Sequence, residues 1–181
     1  MKKSKFLLLG LLTLLMAPLG WGLSGFPNLS TFLQLDNFTS VWSLIGLEFG
    51  FVVGFIMILL TNIGSESASI SAQITIIQSL QLTVVELLFL SICAGFGEEI
   101  LFRLFIQQWF HPLIAAVFFV AIHGYINPKD WSTTKYGLMV LLFIIAISYA
   151  LKPLGIWFCI FAHISYDFVL FYYWSKIARF L

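Results

Sequence analysis

The chain has 181 residues, of which 61% are hydrophobic, 18% aromatic and 9% charged, with a mean hydropathy of +1.03. Water-soluble domains devote about a quarter of their residues to Asp, Glu, Lys and Arg, so a soluble globular fold is excluded and a membrane protein is expected. A net charge of +1 gives no field that would gather nucleic acid, and Cys93 and Cys159, both inside apolar runs, suit neither a disulfide framework nor a cysteine zinc site.

Crossing a hydrocarbon core of roughly 30 Å takes about 20 apolar residues as a helix that satisfies its own backbone. Six apolar runs are read as spans: Phe6 to Leu23, Val41 to Thr61, Leu82 to Phe110, Pro112 to Ile126, Tyr136 to Leu151 and Leu154 to Trp174. The predicted fold is therefore all-α, a polytopic transmembrane helix bundle of about six spans with no separate soluble domain. Residues 1–81 hold the first two spans and a polar connector, and 82–181 hold the other four.

The first run follows Lys2, Lys3 and Lys5 as a secretory signal would. However, Ala17-Pro18-Leu19-Gly20-Trp21-Gly22 gives no clear small-x-small cleavage site, so it is read as a retained span. The second run ends in the connector Asn62 to Gln81, where five serines lie among isoleucines and a short interfacial helix is expected. Trp109 to Pro112 is a tight turn, because Pro112 suits the start of a helix and disfavours helix at His111. Asn127 to Lys135, with Pro128, Lys129 and Asp130, is expected as a solvent loop. Lys2, Lys3, Lys5, Lys129, Lys135, Lys176 and Arg179 then fall on one side and only Lys152 on the other. That places both termini in the cytoplasm of a multi-pass cell-membrane protein.

Ionisable residues at membrane depth are costly and face a bundle interior or a water-filled cavity. Glu99 and Arg103 are four residues apart and share a helix face, acid before base. Glu98 is turned about 100° away and has no partner on its own helix. Counted along their spans, Glu98, His123 and His163 all lie roughly 14 to 18 Å from the outer ends, given a rise of 1.5 Å per residue. His163 and Asp167 again share a face at i, i+4, and Phe119 stands one turn before His123 as an apolar wall. Carboxylate and imidazole at one level are the groups that take a proton from water and return it to a leaving amine. A structural hydrogen-bonded network is the alternative. Glu48 and Glu86 have no partner in these patterns and read as structural or interfacial, as does His111, and the aromatic stripe from Phe161 to Trp174 reads as packing and an interfacial belt.

Glu98-Glu99-Ile100-Leu101-Phe102-Arg103 has the form EExxxR, Phe119 to His123 has the form FxxxH, and His163 to Asp167 has the form HxxxN/D. In this order they resemble the CPBP family of CAAX proteases and bacteriocin-processing enzymes, also called Abi, over about Leu82 to Trp174. The resemblance implies that 82–181 is a four-span catalytic core of an intramembrane endopeptidase of the glutamate type. Glu98 and His123 would activate water, Glu99 and Arg103 would hold the motif, and His163 with the residue at 167 would stabilise the oxyanion. This chain has Asp167 where well-studied eukaryotic members have Asn, and an ionised Asp cannot donate to an oxyanion. It is then either protonated or acts by orienting His163.

The expected partners are a peptide or membrane-protein substrate and the lipid bilayer, with oligomeric state left open. An older view of the family makes these residues zinc ligands, and two His and a Glu suffice in number. No HExxH is present and a glutamate mechanism needs no metal, so no cofactor is expected and zinc is the less favoured alternative. The competing functions are a bacteriocin self-immunity membrane protein, with or without proteolysis, and a small transporter using the same groups as a relay.

Overall fold

The computed structural model describes residues 3–63 and 68–177, and among these every regular element is helical. The first apolar run is α1 (Lys3–Leu14) followed by α2 (Met16–Leu23), bent at Leu15. After α3 (Leu29–Phe32) and a short 3-10 turn (Leu35–Asn37), the second run forms α4 (Ser40–Ile63). The connector expected to be polar contains α5 (Ala68–Ser79), while its residues 64–67 lie outside the described part. The third run starts on a capping box: Thr83 Oγ1 accepts from the Glu86 amide, and the Glu86 carboxylate accepts from the Thr83 amide. Its α6 (Val84–Glu99) continues without a break into a π-helix (Ile100–Ile106) and a last turn, α7 (Gln107–Trp109). Then come α8 (Pro112–Ile122), α9 (Trp131–Tyr172) and a closing π turn (Tyr173–Ile177).

Two boundaries differ from the sequence reading for identifiable reasons. The fourth run stops at Ile122 rather than Ile126, because Gly124 takes φ 75°. The Gly124 amide donates to the Ala121 carbonyl and the Tyr125 amide to that of Val120, which is the Schellman closure of a helix. The fifth helix begins at Trp131 instead of Tyr136, because the Asp130 side chain accepts from the Thr133 amide at 3.1 Å as an N-cap. Lys135, expected in a solvent loop, is therefore inside the helix.

Among the described residues, three helices are long and apolar enough to cross a membrane: Lys3–Leu23, Ser40–Thr61 and Trp131–Lys176. The last, at 46 residues, is about twice what a crossing needs. It is interrupted at Gly155, whose φ of 82° and ψ of 171° leave the helical region just after Pro153. The chain reverses there. Phe143 stacks on Tyr166 at 4.2 Å, the Cys159 thiol points to the Ile147 carbonyl and Tyr136 meets Trp174, which is the register of two antiparallel arms, 131–152 and 156–172. The Ile156 amide, left without an intrahelical partner by the reversal, donates to Gln34 Oε1 at 3.0 Å.

The 156–172 arm is at the centre of the bundle, and α4 is pressed against it. Gly46, Gly50 and Gly54 repeat every four residues on the contacting face. A β-carbon at Gly46 would collide with the Phe158 carbonyl, and one at Gly50 with the Ala162 carbonyl and Ser165 Oγ. Small residues at this spacing let helix backbones approach closely in a membrane, and the Ser165 hydroxyl bridges the gap by donating to the Leu47 carbonyl at 2.8 Å. Gly50→Val is expected to destabilise the fold by at least the ~1–3 kcal/mol typical of overpacking, whereas Gly54→Ala, whose β-carbon would sit 3.2 Å from the Tyr166 carbonyl, costs less. Thermal unfolding in detergent checks the order, and equal midpoints would contradict the close contact.

The bundle has two distinct ends. At one, Lys3 pairs with Glu86 at 2.7 Å and the Lys176 ammonium donates to the Leu82 carbonyl at 2.5 Å. At the other, Gln34 caps the 156–172 arm, Phe38 meets Trp157 and His111 meets Tyr149. Between them, Leu12, Leu19, Phe55 and Leu142 point outward with half or more of their surface exposed. Apolar area on this scale belongs against lipid, and the chain is a membrane protein.

Candidate functional site

Six ionisable groups reach the bundle interior from four elements. Glu98 and Glu99 close α6, Arg103 lies in the π-helix that follows, His123 caps the end of α8, and His163 and Asp167 project from the second arm of α9. Wide π turns recur at functional sites, and here one begins immediately after the two glutamates. Approach on both sides is close: a β-carbon on Gly95 would sit 2.9 Å from the Ile164 amide, and one on Gly97 would strike the Thr13 carbonyl.

Glu99 is fully buried and serves two cations or donors at once. One oxygen accepts from Arg103 Nε at 2.8 Å and the other from His163 Nδ1 at 2.8 Å. A carboxylate only accepts, so Nδ1 of His163 carries the proton and Nε2 is left facing the cavity. His123 is arranged the same way. Its Nδ1 lies 2.7 Å from the Phe119 carbonyl, which again requires the proton on Nδ1.

Both Nε2 atoms converge on one carboxylate oxygen. Glu98 Oε2 is 3.7 Å from His123 Nε2 and 3.9 Å from His163 Nε2, and Asp167 Oδ2 is 3.6 Å from the latter. These separations are longer than direct hydrogen bonds and match a gap bridged by water. Phe119 walls the group: its ring stacks on His123 at 4.3 Å, presents an edge geometry to His163 at 6.0 Å, and lies 5.9 Å from the Arg103 guanidinium carbon.

The cluster opens into a cavity of about 220 Å³. Glu98, His123, His163 and Asp167 form its ionisable part, and the rest of the wall is mostly apolar and aromatic, drawn from α1, α6, α8, α9 and the loop after α8. Among the described residues no three His, Cys, Asp or Glu side chains are placed to hold a metal ion.

The structure thus brings Glu98, Glu99, Arg103, Phe119, His123, His163 and Asp167 together. It leaves three others apart: Glu86 is paired with Lys3 at one end, His111 is at the opposite end, and Glu48 is on the outer face of α4. The bridge from Glu99 to His163 was not foreseen. Nor were two parts of the cavity wall, namely Phe6, Leu9 and Thr13 of α1, and the tyrosines Tyr125, Tyr136 and Tyr166. A spacing signal existed only for Tyr125, which is two residues past His123 and stacks parallel to its ring at 6.1 Å. The glycine repeat that seats α4 was also present in the sequence as Gly46-x-x-x-Gly50-x-x-x-Gly54.

Residues 80–169 match the family model described as type II CAAX prenyl endopeptidase Rce1-like. Comparison with curated proteins and with solved structures finds no match. The matched stretch contains all three motifs and every ionisable residue of the cluster, and it belongs to the Rce1-like family.

Proposed function

We propose that this chain is an intramembrane endopeptidase that hydrolyses a peptide bond in a peptide or membrane-protein substrate with water activated by Glu98 and His123. The observation that carries the reading is the convergence of two imidazole Nε2 atoms on the Glu98 carboxylate, inside a cavity walled by membrane helices. Its support in kind comes from the Rce1-like match, which names an endopeptidase.

In this mechanism a water between Glu98 and His123 gives its proton to Glu98 as its oxygen attacks the scissile carbonyl. The carbonyl oxygen becomes an oxyanion facing His163 Nε2, which donates to it when the imidazole is charged. Glu98 then passes the proton to the departing amine, the C–N bond breaks, and the carboxylate is restored. Glu99 holds His163 with Nδ1 protonated, Arg103 holds Glu99, and Asp167 orients and compensates the imidazolium. No step is routed through a metal.

The same proposal includes a polytopic topology with cytoplasmic termini. Lys3–Leu23, Ser40–Thr61, the unbroken helical path Val84–Trp109 and the two arms of α9 each serve as a span. Pro112–Ile122, 11 residues long, covers only about 16 Å. It completes the six-span count as a short helix ending at the depth of the site.

The test is expression of the wild type, Glu98→Ala and His163→Ala at matched membrane levels, with released fragments compared by mass spectrometry. Fragments found only with the wild type are expected. Three identical profiles alongside a retained phenotype such as bacteriocin resistance would make the cluster a binding network instead.

A further inference from the structure

Glu48 is a carboxylate on the wrong side of its helix. It lies two residues from both Gly46 and Gly50, about 200° around α4 from the face packed on α9, and it is exposed. Eight residues separate it from Ser40, the nearer end of the Ser40–Thr61 span. That is about 12 Å at 1.5 Å per residue, too deep for a short glutamate stem to reach an interface as Lys or Arg does. Among the described residues no hydrogen bond or ion pair engages it. Around it Val41, Leu44, Ile45, Phe51, Val52 and Phe55 are all exposed and apolar, spaced as one helix-docking stripe. An ionisable group in the hydrocarbon region is expensive, and such groups pair with one another or line a pathway.

We propose that this face of α4 docks a transmembrane helix of a different protein, one that presents a Lys or Arg at mid-membrane depth to Glu48. Charge complementarity selects the occupant. A second copy in two-fold contact would set Glu48 against Glu48, a like-charge pair, since isologous interfaces repeat the same patch. Among the described residues, a second copy in another orientation has no free cation to offer at that level. Arg103 is fully buried on Glu99, Lys3 is paired with Glu86, Lys176 is bonded to Leu82, and Lys5, Lys129, Lys135 and Lys152 lie near helix ends or in a loop. Because the glycine face of α4 is what backs the His163 arm, the docked helix sits outside the cavity, as a companion and not as a molecule undergoing cleavage. The proposal is independent of the proteolytic reading.

The probe is a leucine-rich transmembrane peptide with one central Arg, compared with the same peptide carrying central Leu or central Glu. Association with the full-length labelled chain is followed by energy transfer in phosphatidylcholine vesicles. The Arg peptide is expected to bind the wild type about tenfold more tightly than the Leu peptide, as one polar contact in a membrane can supply. That preference should vanish in Glu48→Leu and shrink in the isosteric Glu48→Gln. Equal binding of Arg and Leu peptides, or an Arg preference that survives Glu48→Leu, would overturn the proposal. So would wild-type self-association that Glu48→Leu abolishes, since the occupant would then be a second copy. Glu48→Leu should melt no lower than the wild type in detergent, and a lower midpoint would assign Glu48 to the fold and defeat docking.

Discussion

Glu98→Gln is expected to lower kcat/KM for a cleaved peptide by about 10²–10⁴-fold, the usual contribution of a positioned acid or base, while the unfolding midpoint stays close to that of the wild type. The two halves of this expectation come from the same geometry. Glu98 faces the cavity, and its nearest partners are His123 and His163 at 3.7 and 3.9 Å, so the amide replacement breaks no direct hydrogen bond that holds the bundle. What it loses is the ability to take up a proton. His123→Ala should reduce kcat/KM by a comparable factor, and the double variant by little more than either alone, because groups that act on one water are not additive. Measured on purified protein in detergent, a loss of less than about tenfold for Glu98→Gln would remove Glu98 from the chemistry.

Glu98, His123 and His163 share a depth legible from the regular rise of a helix and from an apolar background against which eight ionisable residues stand out. Such a depth survives errors of a few residues at span ends. That is why the ending of α8 at Ile122, four residues early, did not scatter the site: His123 is still the residue at the helix terminus. The pairing of Glu99 with Arg103 was equally accessible, being internal to one helix. By contrast, the bridge from Glu99 to His163 depends on how α6 and α9 are rotated about their own axes. Spacing along either helix carries no information about that rotation. Gly95 and the glycine repeat of α4 do carry some, because close approach picks out one face, and Gly46, Gly50 and Gly54 mark the face that backs the His163 arm. The helix starts and stops were written locally, in Gly124 and in Asp130 three residues before Thr133. The apolar character of Tyr125 and Ile126 and the polar character of 131–135 outweighed those signals. The part played by α1 as a wall of the cavity had no motif to announce it.

The site is backed by a charge pair that lies out of solvent. Arg103 and Glu99 have no exposed side-chain surface, and among the described residues Arg103 Nη1 finds no hydrogen-bond partner. Glu99→Met leaves the guanidinium buried without its counter-ion, and a loss of about 3–5 kcal/mol is expected, as for other broken buried pairs. Arg103→Met should cost a similar amount for the opposite reason. Replacing both, as Glu99→Met with Arg103→Met, removes the two charges together and should recover much of the stability, since apolar residues of similar volume often substitute for a buried pair. Activity should not return with it. His163 Nδ1 would have lost its acceptor at 2.8 Å, so the imidazole would no longer be fixed with Nε2 toward Glu98. Unfolding midpoints and peptide cleavage measured on the four proteins separate the two roles. Strictly additive destabilisation would deny the coupling of Glu99 to Arg103, and a double variant as active as the wild type would deny that Glu99 sets the state of His163.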